Sequence, residues 1–252
     1  MHALTERNGG SADCPAIQIV KLSKRYRNGI TALDRITLCI RAGEIFCLLG
    51  ANGAGKSSLM NCLLGFTAPT SGEASIKGFD CHKQSLEVKK FVSYIPENVA
   101  LHGSFTARET LILFGQLGGA GRLTDKLCEE ALERAGLTPR AFRQPIHEFS
   151  KGMRQKLAIA VALVRRSQVI LLDEPMSGLD PKAMEEFTGI VESLRSQKCA
   201  VLMTTHDLFR ARIIADRVGI MKEGRLVLEK TGRELLDEPL EALYTTVMSA
   251  HR

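Results

Sequence analysis

Residues 45–58 constrain this chain more than any other stretch. An apolar run, Ile45-Phe46-Cys47-Leu48-Leu49, feeds directly into Gly50-Ala51-Asn52-Gly53-Ala54-Gly55-Lys56-Ser57-Ser58, which reads G-x-x-x-x-G-K-S. A strand entering such a loop makes a phosphate cradle. The glycines let successive N–H groups point inward at phosphate oxygens, and the helix that begins near Gly55 adds the positive end of its dipole. Lys56 then reaches the β- and γ-phosphates and Ser57 ligates Mg²⁺. In the empty site the Lys56 side chain is expected to face solvent. After the loop, Leu59, Met60, Leu63 and Leu64 share one face of a short helix. The stretch is a nucleoside triphosphate site.

The chain has 252 residues, enough for one large domain or a domain with an inserted lobe. Its longest clean apolar run, Leu157-Ala158-Ile159-Ala160-Val161-Ala162-Leu163-Val164, is far short of the roughly 18 to 20 residues that cross a bilayer. The opening residues are polar and lack an apolar core, so they read as a loose tail rather than a secretory signal, and a cytosolic address follows. Seven cysteines, at 14, 39, 47, 62, 81, 128 and 199, form no C-x-x-C pair and suit reduced, packed thiols more than a metal site. The net charge of +6 is spread over the whole length and assigns no partner. With no Trp and 3 Tyr, the chain lacks the aromatic interleaving of single-strand nucleic-acid binders.

In chain order, Ile17 and Ile19, then Ile36, Leu38 and Ile40, alternate with polar residues as short strands do, and Arg25-Tyr26-Arg27-Asn28-Gly29 between them reads as a hairpin turn. Tyr26 is there either a platform for a purine ring or a surface residue. Ala74-Ser75-Ile76-Lys77-Gly78 and Phe91-Val92-Ser93-Tyr94-Ile95 read as further strands, the second stopped by Pro96-Glu97-Asn98. Helices follow: a capping box at Thr106-Ala107-Arg108-Glu109, then a face of Leu127, Ala131, Leu132 and Ala135 stopped by Gly136, then Met153 onward to Val164. Residues 98–164 thus form a helical insertion.

Strands return at Val169-Ile170-Leu171-Leu172, ending in Asp173-Glu174-Pro175, and at Ala200-Val201-Leu202-Met203, ending in Thr204-Thr205-His206-Asp207. Between them Asp180-Pro181 opens a helix with Met184, Phe187, Val191 and Leu194 on its buried face. Continuous apolar strands separated by helices mean a parallel sheet covered on both sides, with ligands at the carboxyl ends of the strands. A hairpin around Lys222-Glu223-Gly224 and a short helix near residues 239–248 close the chain. At those strand ends Asp173 is placed to hold the metal and Glu174 to polarise an attacking water, unless the tripeptide merely ends a strand. His206 is placed to contact the γ-phosphate or that water.

The loop at residues 50–58, Phe149-Ser150-Lys151-Gly152-Met153-Arg154-Gln155, residues 170–175, Ser177-Gly178-Leu179-Asp180 and Thr205-His206-Asp207 together resemble the ordered motif set of an ABC transporter ATPase subunit. The segment at Ser150 discriminates, since other phosphate-loop proteins lack it. The resemblance implies an α/β fold: a P-loop NTPase parallel sheet core with an N-terminal antiparallel β subdomain and the inserted helical subdomain. Residues 1–15 would be a flexible tail and 16–252 the nucleotide-binding domain. It further implies ATP and Mg²⁺ as cofactors, a head-to-tail dimer with a second ATPase subunit, and a separate integral membrane permease at the cytoplasmic side of the cell membrane. In that scheme Tyr26 stacks on adenine, residues 50–58 hold phosphate, Ser150, Gly152 and Asp180 serve the nucleotide across the dimer seam, Glu97 joins Ser57 and Asp173 around the metal, and Lys56, Glu174 and His206 carry the catalysis.

The chain departs from the usual pattern. Glu97 stands where glutamine is commoner, Lys151 replaces a glycine, Met153 follows Gly152, and Ala51 stands where proline is usual. The P-E and S-K-G-M-R-Q variants are similar to those of bacterial ABC-2 type exporters, which implies export. The competing reading is a soluble ABC-type ATPase acting on DNA or the ribosome, but one phosphate loop, no long heptads and no cysteine pairs count against it. A metabolic kinase would leave the Ser150 segment without a task. Leu101 and Phe105 either line a docking groove for the membrane partner or belong to the core of the lobe.

Overall fold

The computed structural model describes residues 15–237 and 239–249. Of the tail expected over residues 1–15, residues 1–14, Cys14 among them, lie outside the described residues. Strand β1 (Ile17–Arg25) and strand β2 (Thr31–Ile40) form an antiparallel hairpin, its turn closed by Tyr26 N–H to Ile30 O at 2.9 Å and Gly29 N–H to Tyr26 O at 3.0 Å. Strand β3 (Ile45–Leu49) is buried throughout and leads into helix α1 (Lys56–Leu63). Strand β4 (Ser71–Ile76) and strand β5 (Phe79–Asp80) complete a four-stranded antiparallel sheet of order β2-β1-β4-β5. The strand expected over residues 74–78 in fact begins at Ser71 and ends at Ile76, because Lys77 (φ 53°) and Gly78 (φ 82°) turn the chain into β5.

Helix α2 (Ser85–Phe91) precedes strand β6 (Val92–Ile95). Sequence periodicity does not reveal α2, since Val88 is its one buried residue, and it takes Phe91 from the expected strand to stack that ring on Phe79 with centroids 5.5 Å apart. The lobe that follows holds α3 (Ala107–Leu117), α4 (Asp125–Arg134) and α5 (Lys151–Val164), with 3₁₀ turns at Pro139–Arg143 and Ile146–Glu148. The α3 capping box forms as read, with Thr106 and Glu109 satisfying each other's backbone amides. On α4, Ala131 and Leu132 are buried as expected, with Ala135 just after it, but Cys128 takes the buried place expected for Leu127, which is 48% exposed.

Then come β7 (Val169–Asp173), α6 (Pro181–Ser196), β8 (Ala200–Thr205), α7 (Leu208–Ile214), the hairpin β9 (Arg217–Lys222) and β10 (Arg225–Thr231), α8 (Glu234–Asp237) and α9 (Leu240–Ser249). The second sheet has the order β10-β9-β3-β8-β7-β6; all its pairings are parallel except that of the β9–β10 hairpin. The pleat feeds two cores. Ile45, Cys47 and Leu49 of β3 join α5, α6 and α7 on one face, while Phe46 and Leu48 join α1 and the antiparallel sheet on the other. Burial on both faces explains why these strands carry unbroken apolar runs. Among the described residues no helix is long and apolar enough to cross a membrane.

Candidate functional site

The loop between β3 and α1 is shaped by close backbone approach as much as by positive φ. A Cβ on Gly50 would lie 2.6 Å from the Met221 carbonyl, and one on Gly55 would lie 2.3 Å from the Ala32 carbonyl. Both glycines therefore let the loop press against β2 and β9. Gly53 (φ 82°) has open space where its Cβ would stand and Gly55 has φ 108°, so these two turn the amides inward. The loop is pinned by Ala54 N–H to Ala51 O at 3.1 Å and by Gly224 N–H to Ala54 O at 2.9 Å. Gly55 caps α1 without a side-chain acceptor, and the Leu59 amide bonds back to Gly55 O at 3.0 Å. The amides of the first turn of α1 and the helix dipole are left for an anion.

Lys56 corrects one expectation. Its side chain does not face solvent: it is 8% exposed and folds back over its own loop, donating to the carbonyls of Gly50 (2.5 Å) and Ala51 (3.4 Å). Its ammonium is also 3.6 Å from Glu174 Oε1. A desolvated ammonium requires such acceptors, and the loop's own carbonyls supply them.

At the end of β7 two carboxylates have separate settings. Asp173 Oδ1 accepts from Thr204 Oγ1 at 2.6 Å, and Oδ2 accepts from the Tyr94 hydroxyl at 3.3 Å. Partial burial, and then the Asp173 charge, push the Tyr94 phenol up to about 12, so it remains a donor. Glu174 adopts φ 46°, an uncommon conformation for a non-glycine residue, held by its amide bonding Thr204 O (3.1 Å) and Thr204 Oγ1 (3.0 Å). Its carboxylate lies between Lys56 and His206, whose Nδ1 donates to Oε2 at 2.8 Å.

One cavity of about 440 Å³ is lined by Tyr26, residues 51–58, Glu97, Asp173 and Glu174. Tyr26 is fixed there by its hydroxyl, 3.1 Å from Ser58 Oγ, with the Lys24 ammonium 5.1 Å from its ring centroid. Ser57 is exposed at its edge, and with Glu97 and Asp173 it offers hard oxygen donors. Gly50 and His206 stand just outside this lining. So do Ser150, Gly152 and Asp180, whose local roles are plain: Ser150 Oγ caps α5 through Met153 N–H at 3.2 Å, and Asp180 Oδ1 caps α6 through Ala183 N–H at 2.9 Å.

A profile of the ABC transporter family matches residues 33–177. The chain belongs to the ABC transporter family. The cassette is 36% identical over 222 residues to human ATP-binding cassette sub-family A member 2, covering 86% of this chain but 9% of that far longer protein. It is 34% identical to the doxorubicin resistance ATP-binding protein DrrA of Mycobacterium tuberculosis, covering 88% of this chain and 68% of the relative. It is 32% identical to the Nod factor export ATP-binding protein I of Mesorhizobium japonicum, covering 90% and 67%. Among solved structures, the dimeric cassette MJ0796 in a post-hydrolysis state bound to ADP and Pi superposes with a TM-score of 0.77 at 27% identity, covering 86% of this chain and 99% of that one. This chain is accordingly an ATP-binding, ATP-hydrolysing subunit of an ABC transporter.

Sequence reading missed the groups that hold the carboxylates. Tyr94 and Thr204 lie on strands β6 and β8, either side of β7, and only the strand order puts them beside Asp173. Gln155, at the end of the Ser150 motif, is fully buried and donates Nε2 to the carbonyls of Pro96 (3.2 Å) and Glu97 (3.0 Å), contacts that the motif alone does not reveal.

Proposed function

We propose that residues 16–252 form one nucleotide-binding cassette, with residues 98–164 as its helical lobe, that closes head-to-tail on a second ATPase subunit and powers export through a separate membrane-spanning permease. The observation that carries this reading is the convergence of Tyr26, the phosphate loop, Glu97, Asp173 and Glu174 on one cavity. Tyr26 offers its face to the adenine, the loop amides other than that of Ala54, which bonds Ala51 O, take the phosphates, and Lys56 exchanges its loop carbonyls for the β- and γ-phosphate oxygens. Ser57 and Asp173, with Glu97 behind a water, are the groups that would hold Mg²⁺; an exposed hydroxyl and carboxylates fit a small hard cation that keeps part of its water shell. Bound there, the ion would neutralise charge on the phosphates. Glu174 takes or orients the proton of the attacking water, and His206, already on its carboxylate, steadies Glu174 and faces the γ-phosphate.

Ser150, Gly152 and Asp180 stand outside the cavity, which fits groups that complete the partner subunit's site. That a cassette of matching fold forms a dimer when bound to ADP and Pi supports a second subunit here. Export as the direction of transport rests on relatives whose names state drug resistance or export. The cassette would work as a peripheral protein at the cytoplasmic face of the membrane. Residues 98–105, between the Glu97 turn and α3, supply the docking surface with the lobe. Leu101 packs against the core, whereas Phe105 is half-buried with its ring 4.8 Å from that of His102. The test is tagged purification from membranes: a polytopic chain should co-purify, and Phe105→Glu should release a folded, ATP-binding subunit. A wild-type subunit recovered free of any membrane protein, with Phe105→Glu behaving identically, contradicts the reading.

A further inference from the structure

Two residues of α5, one turn apart, grip the turn after β6. Gln155 holds the Pro96 and Glu97 carbonyls, and the Lys151 ammonium lies 3.5 Å from the Glu97 carboxylate. Gln155 keeps this hold although its buried Oε1 has no hydrogen-bond partner among the described residues, a cost an apolar side chain would avoid. The hold on the turn is what the amide adds. Charge makes the Lys151 contact consequential. The cavity lining carries three carboxylates, Glu97, Asp173 and Glu174, against one cation, Lys56. A triphosphate brings further negative charge into the same space, and Lys151 supplies a second cation from just outside it. Lys151 also stands between Ser150, the cap of α5, and Gly152.

We propose that Lys151 is a positioning residue for nucleotide binding. It fixes the Glu97 carboxylate and offsets its charge so that the cavity accepts the triphosphate. Together with Gln155 it makes the Glu97 turn and the first turn of α5 move as one piece, linking the nucleotide of one subunit to the segment that would face the other. The inference rests on the nucleotide reading above and assigns a role to a position where the chain carries lysine in place of the commoner glycine.

The experiment is a fluorescent-ATP titration of the purified subunit as wild type, Lys151→Gln, Glu97→Gln and the double variant, each over a range of Mg²⁺. Lys151→Gln should weaken nucleotide binding on the order of threefold to tenfold and raise the Mg²⁺ needed for half-saturation. The loss should vanish when Glu97→Gln is also present, shrink in high salt, and be largely restored by Lys151→Arg. Melting of the ligand-free protein should change little, since the pair is partly exposed. An equal loss with and without Glu97, or wild-type affinity in Lys151→Gln, overturns the inference while leaving the site reading intact. A wild-type subunit that binds no ATP overturns both.

Discussion

Replacing Glu174 with Gln keeps the side-chain shape and removes the charge that lies between Lys56 (3.6 Å) and His206 (2.8 Å). The backbone reason for the φ of 46° survives, because Thr204 binds the amide and not the carboxylate. The fold should therefore persist. In the ligand-free protein Lys56 keeps its two loop carbonyls but loses its counter-charge, for a stability loss of about 1–2 kcal/mol. Catalysis is hit harder. Removal of a group that takes or orients a proton costs about 10² to 10⁴ in rate, which is roughly 2.7–5.4 kcal/mol of barrier. ATP binding should remain, since Tyr26, the loop amides and Lys56 are intact, and the unhydrolysed nucleotide should hold two subunits together. The assays are phosphate release, nucleotide binding and sizing chromatography on one preparation. Turnover within tenfold of wild type, with no ATP-dependent dimer, would refute the assignment of Glu174.

Three further outcomes follow from the geometry. Lys56→Ala should abolish hydrolysis and, because the side chain is buried, also lower ligand-free stability by about 1–2 kcal/mol in chemical denaturation; full stability would mean the burial is incidental. Asp180→Ala removes the α6 cap and should cost about 1 kcal/mol in the same assay, whatever it does across the dimer seam. Tyr94, raised to about 12 when folded against an ordinary value near 10, contributes stability that is present below pH 10 and is lost as pH rises through 12. Tyr94→Phe should thus be less stable than wild type at pH 8, with the gap between their urea midpoints closing toward pH 12; a constant gap would contradict the coupling.

The phosphate loop, the strand-end carboxylates, the Asp180 cap and the β9–β10 turn were legible because each depends on residues adjacent in sequence: a glycine spacing, a cap followed by proline, an apolar run with an abrupt stop. What was illegible depends on contacts between distant segments. The need for glycine at position 50 comes from Met221, and the fixing of Asp173 comes from Tyr94 and Thr204 on neighbouring strands. The burial of Lys56 depends on a three-dimensional loop shape that no periodicity encodes. Helix α2 was missed because one buried residue in seven gives no amphipathic signal.

The central claim, an ATP site completed by a second subunit, is tested most directly by mixing two inactive variants. Lys56→Ala breaks the phosphate loop, and Ser150→Arg blocks the segment proposed to act in the partner's site. Each alone should hydrolyse no ATP. Mixed in equal amounts and allowed to exchange, they form some dimers in which one site joins an intact Lys56 to an intact Ser150, and phosphate release should return to about a quarter of the wild-type rate. A mixture as inactive as its components, or Ser150→Arg alone hydrolysing ATP at the wild-type rate, would contradict it.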